Sequence, residues 1–187
     1  MTAVSATSTQ DILAAYELGK TGDLEAMTLQ INSCTNPIQA FACVAAFFAG
    51  EQETIMGEKL EEYEAQHNEY KECLQYSKEA HEGKSETVSN KYSYSGSGFD
   101  DYMNKISDGK YSSKMDKGND GKHNKEEWQS FADVINQQKD MESTDLNKLS
   151  TEMDMAVKDS SEAEQMVVNA VKKMIELMTT QGKGAGG

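Results

Sequence analysis

The stretch LNKLSTEMDMAVKDSSEAEQMVVNAVKKMIEL, residues 146–177, decides the fold. Alternating steps of three and four along it pick out Leu146, Leu149, Met153, Ala156, Ser160, Ala163, Val167, Ala170, Met174 and Leu177. All are apolar except Ser160. Such steps place the ten side chains on one stripe of a helix, and a period of 3.5 keeps that stripe facing a partner helix. The remaining faces carry Asp145, Lys148, Glu152, Asp154, Lys158, Asp159, Glu162 and Glu164, as a solvated side requires. Further along, Met166, Val168, Val171, Ile175 and Met178 widen the apolar surface. A surface that wide calls for more than one neighbour.

The partner lies upstream. Asn36-Pro37 opens a second element, with Asn36 as a cap and Pro37 at the first helical position. Residues 38–49 are apolar at every position but Gln39, a run too short to cross a bilayer, which needs about 20 residues. Phe41, Val44, Phe47 and Phe48 spread around this helix, so a single partner helix cannot cover them all. Past Gly50 a weaker seam reads Met56, Leu60, Tyr63, His67, Tyr70, Leu74, Ser77 and His81 within an acidic helix. His67 and His81 stand roughly 20 Å apart along such a helix and cannot share a metal. Two seams of similar length joined by a polar excursion predict an all-α fold, a long antiparallel, coiled-coil-like helical hairpin with a polar, partly irregular middle insertion.

The chain divides by composition into an N-terminal segment (1–36), a first long helix (37–82), a polar variable region (83–140), a heptad helix (141–180) and a flexible tail (181–187). Residues 1–10 are small and hydroxyl-rich and are expected to lack structure in the free subunit. Two short helices follow, interrupted by Gly19 and Gly22, with Asp11 or Asp23 as caps. In the middle region Phe99, Tyr92, Tyr94, Tyr102 and Tyr111 predict local packing around a short helix over 99–106. Trp128 and Phe131 begin another helix, and residues 141–144 lead into the final one.

Net charge is −14, which argues against nucleic acid and anionic membrane as partners, since both demand a basic face. A charged leader with a long apolar core is not found at the start, so no conventional secretory signal is expected. The three cysteines, Cys34, Cys43 and Cys73, lack paired-ligand spacing and read as free, mostly buried thiols. Cys34 and Cys43 can cross-link only if the chain turns back near Pro37. Phosphate loops, nucleophile elbows and zinc signatures are not found, so the chain reads as a non-enzyme with no cofactor. One polar constellation, 116–127, partly spells a calcium loop, with Asp116, Asp120, Asn124 and Glu127 as candidate oxygen ligands. Against it, Gly118 offers no side-chain oxygen at the third position and His123 replaces the usual apolar residue. The competing reading of the same residues is a polar turn that caps the 125–135 helix.

Taken in order, the apolar run at 38–49 running into the acidic helix of 51–82, the FDDYM run at 99–103, residues 110–118 and the seam at 146–177 resemble the EspA/SseB-like family of type III secretion translocator proteins. The resemblance is one of pattern over most of the chain after residue 36. It implies a secreted subunit on the bacterial surface that self-assembles into the filament or tip of the secretion needle. Its implied partners are copies of itself in a helical filament, a chaperone before export, the needle subunit and the pore proteins. The partial calcium spelling and the bare GKGAGG end depart from the family pattern. Phe41, Val44, Phe47, Phe48, Leu60, Leu146, Leu149, Met153, Val167, Ala170, Met174 and Leu177 are the residues expected to pack helices or subunits together. The alternative function is a calcium-responsive helical binding module switched by the 116–127 loop.

Overall fold

A computed structural model describes residues 4–87, 93–107, 111 and 122–184. The fold is all-α, with helices α1 (Val4–Thr21), α2 (Leu24–Ser33), α3 (Pro37–Glu86), α4 (Phe99–Ile106) and α5 (Lys125–Gly184), plus two short strands, β1 (Ser93–Tyr94) and β2 (Lys122–His123). The two long helices, α3 and α5, pack against each other as an antiparallel hairpin, as the two seams predict. The chain forms two compact units, residues 1–61 with 151–187, and residues 62–150.

In the first unit the local sequence sets each helix end. Gly22, at φ +68°, terminates α1: its N–H reaches the Gly19 carbonyl at 3.1 Å and the Asp23 N–H reaches the Leu18 carbonyl at 3.1 Å. These two bonds form the Schellman motif, for which glycine has no steric penalty. Asp23 caps α2 by accepting from the Ala26 N–H at 2.9 Å. Asn36 caps α3, accepting from the N–H groups of Ile38 (3.1 Å) and Gln39 (2.8 Å), with Pro37 at the first helical position. Asp11 is no cap. It lies inside α1 and accepts from the buried Gln39 side chain at 2.7 Å, which gives the one polar residue of the 38–49 run its partner.

The core of this unit packs on both sides of α3. Ala15, Met27, Cys43, Ala46 and Phe47 form one cluster with Ile12, Tyr16, Leu18 and Ile31, so α1 and α2 cover one side of the apolar run. Ala42 packs with Ala170 and Met174 of α5 on another side. Toward the other end of this unit Lys59 pairs with Glu152 at 2.9 Å. Numbering thus climbs on α3 as it falls on α5, the antiparallel sense. Where α1 meets α3, a Cβ placed on Gly19 would lie 2.0 Å from the Phe47 carbonyl oxygen, and one on Gly50 would lie 2.1 Å from that of Tyr16. Gly19 is therefore not an interruption. It sits inside α1 because only hydrogen fits where the two backbones touch.

The second unit has an aromatic core of Tyr76, Phe99, Tyr102, Tyr111, Trp128 and Phe131, joined by Cys73, Ala80, Met103 and Ile135. The rings meet mostly edge to face, as at Phe99–Trp128 (5.2 Å) and His123–Phe131 (4.9 Å), an arrangement that the ring quadrupoles favour. α4 spans the residues the sequence predicts and presents Phe99, Tyr102 and Met103 to this core. The two strands pair antiparallel, Ser93 with His123 and Tyr94 with Lys122. Of the middle-region tyrosines, Tyr102 and Tyr111 are buried and Tyr94 is exposed, while Tyr92 lies outside the described residues.

Four expectations are corrected. Within the hydroxyl-rich start, the chain is helical from Val4 instead of unstructured, continuous with the part of α1 that Ile12 and Ala15 anchor. The helix beginning near Trp128 and the heptad helix are one, α5, because no glycine or proline lies between 125 and 181 to break it. The tail is helical as far as Gly184. The α3 seam past Gly50 has a different phase: Met56, Tyr63, Tyr70 and Ser77 stand as expected, but Lys59, Gln66, Cys73 and Ala80 replace Leu60, His67, Leu74 and His81. Leu60, Leu74 and His81 are exposed, and His67 stacks on Tyr63 at 6.0 Å. Two of the true rungs are polar because α5 supplies acceptors: Lys59 faces Glu152, and Gln66 donates to Glu142.

Candidate functional site

The stripe at 146–177 is the buried face of α5. Leu146, Leu149, Met153 and Val167 are half-buried, Ala156, Ser160, Ala163, Ala170 and Met174 are buried, and only Leu177 is exposed. These residues are spent largely within the subunit, where Ala170 and Met174 meet Ala42 and Val167 packs beside the Phe47 cluster.

The phenylalanines of α3 divide. Phe47 is 5% exposed within the first unit's core and Val44 is half-buried beside it, whereas Phe41 is 51% and Phe48 47% exposed. Position decides this. Phe47 points toward α1 and α2, while Phe41 and Phe48, seven residues apart, share a stripe that continues at the exposed Ile55. That stripe is solvent-facing within the described residues, and it runs along the most apolar segment of the chain. The first unit also exposes Leu13 of α1, Leu24 and Leu29 of α2, and Ile175 and Leu177 of α5. Leaving large apolar side chains in water forgoes roughly 1.5–3 kcal/mol for each one fully covered. A row of exposed apolar side chains of this kind is the surface feature that a partner would bury.

Asn124 and Glu127, two of the four candidate calcium ligands, are engaged otherwise. The Asn124 side chain accepts from the N–H groups of Glu126 (2.8 Å) and Glu127 (3.0 Å), and Glu127 accepts from the Asn124 N–H at 2.8 Å. This reciprocal pattern is a capping box at the start of α5, the competing reading of the same spelling. His123, at the position where a calcium loop would pack an apolar residue, is itself fully buried among Phe99, Trp128 and Phe131. Asp116 and Asp120 lie outside the described residues. Among the described residues no group of three or more acidic, histidine or cysteine side chains is arranged to hold a metal.

In the second unit a cleft of about 220 Å³ is lined by Glu69, Glu72, Tyr102, Lys105, Gln138 and Glu142. Lys105 answers its acidity, reaching Glu72 at 3.2 Å and Glu69 at 3.8 Å. The hydrogen bond from Lys105 to Glu72 raises the lysine pKa, and burial raises that of Tyr102, so both groups keep their protons at neutral pH. Neither is prepared to act as a base.

Sequence reasoning missed the Lys59 and Gln66 rungs, the glycine contact between α1 and α3, and the exposed stripe's third member, Ile55. The seven-residue spacing of Phe41, Phe48 and Ile55 was the available signal for the last. Compared with family models, with curated proteins and with solved structures, the chain matches none.

Proposed function

We propose that this chain is a secreted structural subunit that assembles with copies of itself, as the extracellular filament or tip of a type III secretion needle leading to the translocation pore. The observation that carries the assembly reading is the row of exposed apolar side chains Phe41, Phe48 and Ile55 on α3. A second copy laid against it removes three large apolar side chains from water. Export and the needle rest on the resemblance of the 38–82, 99–103, 110–118 and 146–177 segments to the EspA/SseB-like translocators. In that setting a chaperone covers the same stripe before export, and the needle subunit and pore proteins meet the assembled form. No helix among the described residues is long and apolar enough to cross a membrane.

The test is electron microscopy with light scattering on the purified chain across a concentration series, alongside the Phe41→Ser/Phe48→Ser double variant. The natural chain should form regular polymers as concentration rises, and the variant should stay monomeric with unchanged helicity. Phe47 is left intact because its burial would confuse lost assembly with lost folding. A variant that polymerises like the natural chain removes the stripe from the interface. A natural chain that stays monomeric throughout removes self-assembly altogether.

A further inference from the structure

The corner between α2 and α3 brings two thiols together. Cys34 is the C-cap of α2, with extended backbone at φ −66° and ψ 133°. Cys43 sits in the second turn of α3 and is fully buried. Their sulfurs stand 4.0 Å apart, so the chain does turn back at Pro37 as a cross-link requires. The corner is pinned by its own hydrogen bonds: the Thr35 N–H and hydroxyl both donate to Gln39, at 3.3 and 3.1 Å, and Asn36 caps α3. Cys34 is half-buried, and its thiol donates to the Gln30 carbonyl at 3.4 Å. The third cysteine, Cys73, is buried in the second unit's core, with its thiol donating to the Ile135 carbonyl.

We propose that Cys34 and Cys43 form an intrachain disulfide that fastens α2 to α3. A disulfide needs its sulfurs about 2.0 Å apart. The remaining 2 Å or so lies within the sweep of one cysteine side chain rotating between staggered positions about its Cα–Cβ bond. α2 is the element for which such a fastening matters most. It is ten residues long and buries one side chain fully, Met27, while Leu24 and Leu29 face solvent. Met27 and Ile31 of α2 pack in the cluster that holds Cys43 and Phe47, so fastening α2 fastens one wall of that cluster.

The oxidant is a low-molecular-weight disulfide. The Cys34 thiolate, at the accessible side, attacks one sulfur of that reagent, forms a mixed disulfide and expels one small thiolate. Cys43 then gives up its proton and attacks the Cys34 sulfur. The bond between the two cysteines forms, the bond to the reagent breaks, and the second small thiolate leaves. Two protein thiols are oxidised and one small disulfide is reduced to two thiols. The second step accelerates with pH, because burial raises the Cys43 thiol pKa and the thiol must lose its proton before it attacks. On the export reading, the pair is reduced inside the cell and closes outside it. The chemistry itself does not depend on that reading.

The experiment uses the full purified chain incubated with oxidised glutathione, then denatured, alkylated with iodoacetamide and digested with chymotrypsin. Cleavage after Phe41 separates Cys34 from Cys43, so only a disulfide still joins their peptides. The expected result is that joined pair, with alkylatable thiols falling from three to one. The oxidised chain should melt roughly 5 °C higher than the reduced one. Cys34→Ser, at the half-buried position, should abolish both the joined peptides and the shift while keeping the far-ultraviolet circular dichroism spectrum. Three results would overturn the proposal: Cys34 ending as a stable glutathione adduct with Cys43 alkylatable, disulfide-linked dimers through Cys34, or three thiols still reactive. All of these are read on isolated chains, so they succeed or fail independently of polymer formation and export.

Discussion

At Gly83 one hydrogen atom decides whether the second unit's core closes. A Cβ there would fall 2.4 to 2.6 Å from the Trp128 ring atoms Cε2, Cδ2 and Cζ2. Trp128 is fully buried, and its indole N–H donates to Ser93 at 2.7 Å, so the ring cannot slide away without losing that bond. Two effects compete in Gly83→Ala. Helix propensity favours alanine by up to about 1 kcal/mol, while forcing a methyl group into a packed core costs about 1–3 kcal/mol. The clash should win, lowering stability and shifting the fluorescence of the single tryptophan to the red. A variant more stable than the parent, with unshifted fluorescence, would show that the indole does not rest on the helix backbone. A second single-residue prediction concerns pH. The Cys43 thiol is pushed up from its ordinary 9.0 to about 12, burial being the larger cause. A raised folded-state pKa means its contribution is whole below pH 9 and lost as pH climbs from 9 toward 12. Reduced chain should therefore lose stability in alkali over that window, and Cys43→Ala should flatten the slope relative to the parent in denaturant melts at stepped pH.

At the scale of the helix, much was legible and the failures share one cause. The α5 stripe is visible in sequence because small and apolar side chains recur at 3.5 residues with charges on the other faces, and no breaker interrupts 125–181. The α3 seam was misread past Gly50 because Leu60 and Leu74 outweigh Lys59 and Gln66 on any scale of apolarity. Phase was the better guide. Ile38, Ala42, Ala45, Ala49, Gln52 and Met56 alternate four and three, and the next step of three lands on Lys59. What apolarity could not reveal is that Glu152 and Glu142 wait opposite the two polar rungs. Similarly, Gly19 and Gly50 lie far apart in sequence, and only the fold brings each against the other helix's backbone. The capping box at Asn124 and Glu127 was legible as a spelling, yet the same letters also spell part of a calcium loop. The α5 stripe carries its own prediction. Between the Lys59–Glu152 pair and the Ala42–Ala170 contact, the buried positions are Ala156, Ser160 and Ala163, all small. Ser160→Leu forces a branched side chain into that stretch at about 1–3 kcal/mol. Its melting temperature should drop by roughly 5 °C, whereas Ser160→Ala should stay within a degree or two of the parent. Equal tolerance of leucine and alanine would mean that this part of the hairpin is loosely packed.

For the whole molecule, charge and apolar surface pull assembly in opposite directions. The chain has 32 acidic residues against 18 basic ones, a net charge of −14, so any two copies repel. The first unit offers Phe41 and Phe48, each about half exposed, and Ile55 at 37%, and covering what is exposed is worth roughly 1 kcal/mol apiece per copy. A gain of a few kcal/mol per contact is comparable with the cost of holding two subunits in place, so repulsion is expected to tip the balance. Screening changes only the repulsion. The Debye length falls from about 30 Å at 0.01 M salt to about 8 Å at 0.15 M, shortening the reach of the repulsion between neighbouring acidic surfaces. Light scattering at fixed protein concentration should therefore report larger assemblies in 0.15 M sodium chloride than in 0.01 M. The Phe41→Ser/Phe48→Ser chain carries the same charge and should remain small in both, which separates relief of repulsion from salting out. Assemblies that shrink as salt rises would point instead to complementary charged patches, with the apolar stripe outside the contact.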